Sequence, residues 1–224
     1  MRRFLKENAL SLFFGSIFLA ALAAQALSGW HQLNDTQVAN SLGRISFGRY
    51  LTSADFVADV AENWQSEYLQ FLLYIAATVW FVQKGSPESK KPGTEGLESA
   101  EDQKVGAHAG SDSPAWARAG GVRTLVLSWS LTGVMGVIFV ASWFAQSLGG
   151  WAAFNETRLQ QLQDPLAWSQ YLTNADFWSR TTQNWQSEFL AVGSMAVLSI
   201  YLRQRGSPES KPVGEAHSST GTDG

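Results

Sequence analysis

Thr124 to Asn155 reads TLVLSWSLTGVMGVIFVASWFAQSLGGWAAFN, a stretch without a single ionisable side chain. A helix crosses the roughly 30 Å hydrocarbon core of a bilayer with about 20 residues, at about 1.5 Å each, and this stretch is longer than that. Moving toward the N-terminus, a second such window lies between Glu7 and Asp35, where His31 is the only titratable group. Overall composition, 45% hydrophobic and 16% charged, does not separate membrane from soluble classes. The distribution does, because charges crowd between apolar windows and are excluded from them.

The same segment opens an internal duplication. Gln25 to Lys90 aligns without a gap onto Gln146 to Lys211 at a constant offset of 121, with 25 of 66 positions identical. Identities fall in blocks: Gln25, Leu27, Gly29 and Trp30 against Gln146, Leu148, Gly150 and Trp151; YLTSADF at 50–56 against YLTNADF at 171–177; NWQSE at 63–67 and 184–188; GSPESK at 85–90 and 206–211. The apolar stretches between them keep their character but not their residues, as hydrocarbon accepts any apolar side chain. Matched polar blocks mark helix ends and loops, where geometry or function restricts the choice.

Each copy reads as a helix pair, predicting an all-α membrane protein of four transmembrane helices in two tandem, parallel-oriented repeats. The first repeat covers 1–91 with spans at about 9–27 and 64–83, and the second covers 122–211 with spans at about 124–148 and 184–203. Residues 92–121, rich in Gly, Ser, Ala and acids without an apolar period, form a disordered cytoplasmic linker, and 212–224 a disordered tail. Thr52 with Asp55, and Thr173 with Asp176, have the hydroxyl-to-carboxylate spacing of a capping box and start the second helix of each pair. Lys84 or Arg205, Gly85 or Gly206, and Pro87 or Pro208 stop it. GSPESK is thus first a helix terminator, with a docking role suggested by its double occurrence.

Arg2, Arg3, Lys6, Lys84, Lys90, Lys91, Arg118, Arg123, Arg203, Arg205 and Lys211 all fall on one side of the four spans, which makes both termini and the linker cytoplasmic. The N-terminus imitates a leader peptide, ending Ala24-Gln25-Ala26. Cleavage is not expected, since the apolar segment exceeds a usual leader core and its twin is internal.

The second and fourth spans are short. From Glu67 to Lys84 and from Glu188 to Arg203 the helix reaches only roughly 24 and 21 Å, so both glutamates should lie near the outer boundary. Asn63 and Asn184 precede them by one helical turn, and Gln25 and Gln146 end the first and third spans at similar depth. Gln25, Asn63, Glu67, Gln146, Asn184 and Glu188 form the candidate polar cluster, either as interhelical glue or as a proton or ion site. Trp30, Trp64, Trp151 and Trp185 read as interfacial anchors, with Tyr50 and Tyr171 beside them.

No catalytic residues are predicted, as no acid, base or nucleophile set recurs at a useful spacing. Zero cysteines exclude thiolate chemistry, and the three histidines have no metal-ligand spacing, so neither metal nor cofactor is expected. A net charge of −3 without a basic stripe sets nucleic acid aside. The expected partners are the lipid bilayer and a homo-oligomer or another membrane protein. The doubled NWQSE[FY]L segment, the opening RRFLKENALSL and the GSPESK terminator resemble an uncharacterised family of bacterial membrane proteins classed as a domain of unknown function. That resemblance implies bacterial origin and a plasma-membrane setting, and supplies no reaction. A structural or interaction role ranks first, a small channel or transporter second, and a membrane enzyme acting through outer loops third.

Overall fold

A computed structural model of the chain describes residues 2–221, and the tail residues 222–224 lie outside them. Among the described residues there is no strand. The helices are α1 (Arg2–Glu7), α2 (Ala9–Ala39), α3 (Phe47–Tyr50), α4 (Ala54–Trp80), α5 (Ala115–Ala119), α6 (Gly121–Ser128), α7 (Ser130–Gln160), α8 (Trp168–Tyr171) and α9 (Ala175–Tyr201). Adding 121 to each bound of α2, α3 and α4 returns the bounds of α7, α8 and α9.

Among the described residues, two helices are long and apolar enough to cross a membrane. Over their best window α2 and α7 reach mean hydropathies of 2.0 and 1.6, and only 6% and 17% of those windows are buried within the protein. A soluble core helix would be mostly covered by its neighbours. α4 and α9 do not meet that measure, so the four spans expected from sequence are reduced to two on length and composition. Their first turns carry Asp55, Asp59, Glu62 and Glu67, or Asp176, Arg180 and Glu188, and charge-free sequence begins only at Tyr68 and Phe189.

The helix starts are shifted by one residue from the expected capping box. Ser53 Oγ accepts from Phe56 N at 3.2 Å and Asn174 Oδ1 from Asp176 N at 2.9 Å. The Thr52 and Thr173 hydroxyls instead donate back to Arg49 O and Gln170 O, at 3.1 and 2.9 Å, closing the preceding turn. The stops also come earlier than expected, at Trp80 and Tyr201. Gly96 N reaches back to Val79 O at 2.8 Å, and Arg203 Nη1 donates to Ile200 O and Leu202 O at 3.0 and 2.8 Å. Carbonyls that a longer helix would have satisfied thus find partners in the following loop. The segment read as a linker holds a 3-10 turn over Gly106–His108 besides α5.

The chain divides into two compact units, Met1–Ala61 with Ala145–Phe177, and Glu62–Phe144 with Trp178–Gly224, so each draws on both copies. In the first, α7 touches α4 at Gly149, where an added Cβ would sit 2.9 Å from Ala58 N and 3.1 Å from Ala54 O. Only glycine lets the two backbones approach so closely. In the second, Gly136 of α7 meets Leu72 of α4 in ordinary van der Waals contact.

Candidate functional site

The matched blocks of the first unit build one device twice. In copy one, Asn34 grips the backbone of Ile45 from both sides: its Nδ2 donates to Ile45 O at 3.1 Å and its Oδ1 accepts from Ile45 N at 2.7 Å. Trp30, one helical turn earlier, donates its indole N–H to the same carbonyl at 2.8 Å. Copy two repeats this at Leu166: its O accepts from Asn155 Nδ2 at 2.9 Å and from the Trp151 indole at 2.7 Å, and its N donates to Asn155 Oδ1 at 2.8 Å. Two side chains at i and i+4 on a helix lie on one face, which lets both reach a single loop residue.

Tyr50 and Tyr171, 2% and 1% exposed, fill the space that Gly29 and Gly150 leave, since a Cβ at either glycine would run into the phenol oxygen. Tyr171 donates to Asp176 Oδ2 at 3.0 Å. Burial raises the Tyr50 pKa above its ordinary value, and the negative charges of Asp59 and Asp55 add to that. The repeated glycine, tryptophan, tyrosine and aspartate are therefore accounted for as a clamp on the loop between two helices. Asn34 and Asn155 complete it.

The predicted polar cluster divides between the units. Gln25 (half-buried) and Gln146 (buried) belong to the first, while Asn63, Glu67, Asn184 and Glu188 belong to the second. Asn63 and Glu67 share an exposed face of α4, and Asn184 and Glu188 are half-buried on α9. Glu67 and Glu188 are near enough for their charges to interact. Of the tryptophans, Trp64 is exposed, whereas Trp185 is half-buried and donates to Gln65 Oε1 at 2.8 Å.

The strongest polar constellation lies one turn away, and joins Asn184 of that prediction to Glu62 and Arg180, which lie outside it. Glu62 Oε2 pairs with Arg180 Nε at 2.6 Å, and its Oε1 accepts from Asn184 Nδ2 at 2.7 Å. Beside it are Gln65, fully buried, and the rings of Trp143, Trp178 and Trp185, with Trp143 centred 6.1 Å from Trp178 and 5.9 Å from Trp185. A signal for this pair was present in the alignment. Position 59 is an acid where 180 is a base, and 62 is an acid where 183 is an amide, in the six-residue stretch between the matched YLTSADF and NWQSE blocks, where the copies share no residue.

At the GSPESK blocks, Ser89 Oγ accepts from Gln83 N at 2.8 Å and Ser210 Oγ from Gln204 N at 3.0 Å, folding both loops alike around Gly85 (φ 90°) and Gly206 (φ 81°). Lys211 is buried, and its ammonium donates to four carbonyls: Gly85 at 2.6 Å, His217 at 3.0 Å, and Ala216 and Ser219 at 3.2 Å.

The sequence matches the family described as Domain of unknown function (DUF6766) over residues 1–222, and the chain belongs to that family. Neither a curated protein nor a solved structure matches it.

Proposed function

We propose that the chain is a multi-pass integral membrane protein of the bacterial plasma membrane, with a non-catalytic structural or interaction role. In this reading α2, α4, α7 and α9 all span, with polar first turns of α4 and α9 at the outer boundary and the basic clusters, both termini and the linker at the cytoplasmic side. The two helix pairs then point the same way, related by an axis along the membrane normal.

The observation that carries this is the use of the polar residues of the helix pairs. The clamp residues Trp30, Asn34, Trp151 and Asn155 face the chain's own backbone, and Glu62, Arg180 and Asn184 face one another. Polar groups so engaged hold helices together, as they commonly do in membranes. The expressed chain should sediment with membranes after cell lysis and resist alkaline extraction. Recovery in the supernatant without detergent would end the membrane reading.

A small channel or transporter is the second reading, favoured by the proximity of Glu67 and Glu188. Carboxylate pairs within membranes are where coupling ions bind. Glu67→Gln and Glu188→Gln variants reconstituted in liposomes test it, and unchanged proton leak would remove it. A membrane enzyme acting through its outer loops comes third.

A further inference from the structure

The hexapeptide Gly-Ser-Pro-Glu-Ser-Lys occurs twice in one conformation, yet its two copies have different surroundings. In copy one, the segment after Lys211 lies on it: Gly85 N donates to Thr220 Oγ1 at 2.8 Å, and Gly221 N donates to Ser86 O at 3.1 Å. Gly85, Ser86 and Pro87 are buried there. In copy two, Gly206, Pro208 and Glu209 are exposed, and nothing lies within 4 Å of a Cβ added at Gly206. The loop itself is already shaped: Ser207 N bonds Gln204 O at 3.2 Å, as Ser86 N bonds Gln83 O at 3.0 Å, and Ser207 O, which accepts from Ser210 N at 3.3 Å, keeps a second lone pair for another donor.

Thr220 with Gly221, and Ser99 at the matching position 121 earlier, are both engaged elsewhere. The segment at 215–221 is held on loop one by the Lys211 ammonium and by Arg203 Nη2, which donates to Glu215 O at 3.0 Å. An intramolecular contact of that kind outcompetes an exchange of the same contact between molecules. Ser99, which stands 121 before Thr220, is turned into its own loop, with its hydroxyl on Asp102 Oδ2 at 2.6 Å and accepting from Asp102 N at 3.1 Å.

We propose that the Gly206–Ser210 loop is an open docking site for an extended segment of another polypeptide that presents a Ser or Thr hydroxyl followed by glycine. The hydroxyl oxygen takes the Gly206 N–H and the glycine N–H reaches Ser207 O, reproducing on loop two the bonds formed on loop one. Recognition through backbone groups with one side-chain determinant is a recurrent mode of peptide binding.

The test is fluorescence anisotropy with the purified full chain in detergent and a fluorescein-labelled peptide of residues 215–221. Saturable binding of one peptide per chain is expected. It should weaken by about tenfold or more with Gly206→Val, whose side chain opposes positive φ, and equally when the peptide carries Thr220→Val or an N-methylated Gly221. The peptide changes keep the test decisive should the protein variant fold poorly. Absence of saturable binding, or binding indifferent to the peptide changes, overturns the proposal. So does binding that a folded Gly206→Val chain retains in full, since the peptide would then be displacing the chain's own segment from loop one.

Discussion

Glu62 and Arg180 form an ion pair at 2.6 Å although they come from non-equivalent positions of the two copies, with Gln183 and Asp59 standing where symmetry would repeat them. An exact repeat would have set acid against acid here. The copies have therefore diverged into complementary halves, and this pair identifies which half is which.

Breaking the pair should cost more than removing it. Arg180→Ala leaves the Glu62 carboxylate, only 16% exposed, with Asn184 alone, and destabilisation of about 1–3 kcal/mol is expected. The double exchange Glu62→Arg with Arg180→Glu should recover part of it. Thermal unfolding in detergent, arranged as a double-mutant cycle, measures the coupling.

The loop clamp predicts local rather than global effects. Asn34→Ala removes both bonds to Ile45, and Asn155→Ala both bonds to Leu166, for about 1–3 kcal/mol each. Amide hydrogen exchange should accelerate at Ile45 in the first variant and at Leu166 in the second, each leaving the other loop protected.

Gly29→Ala sets a methyl against the Tyr50 hydroxyl, and overpacking of this kind costs about 1–3 kcal/mol. Tyr50→Phe withdraws the oxygen, so the double variant should be more stable than Gly29→Ala alone. Additive destabilisation in unfolding experiments would contradict the contact.

Alkaline pH should loosen the same region. The folded chain holds the Tyr50 proton more tightly than the unfolded chain, whose phenol ionises near 10. The associated stability is complete below that value and is lost as pH rises through the higher folded value. Unfolding temperatures followed from about pH 8 to about pH 11 should fall less steeply for Tyr50→Phe than for the unaltered chain.

Much of the architecture was legible because its signals are local. Charge-free windows located α2 and α7, and the constant offset foretold that helix bounds would recur. The cap shifted from Thr52 to Ser53 because adjacent hydroxyls compete for neighbouring backbone groups, and spacing alone does not choose between them. Trp30 and Trp151 were read as interfacial anchors, and their hydrogen bonds to loop carbonyls are a further use that composition does not reveal. The pairing of Glu62 with Arg180 joins residues more than a hundred positions apart, and identity between copies directed attention to Glu67 and Glu188 instead. Shared residues revealed what each helix pair needs by itself. Contacts between pairs draw on both kinds of position: Glu62 and Arg180 stand where the copies disagree, and Trp185 and Gln65 where they agree.

The bond from Gly85 to Thr220 spans 135 residues of chain. During translation, then, the loop at Gly85 is made long before its covering segment exists. While the second helix pair is still emerging from the ribosome, that loop stays bare, and any factor that escorts the nascent protein has its opportunity in this interval.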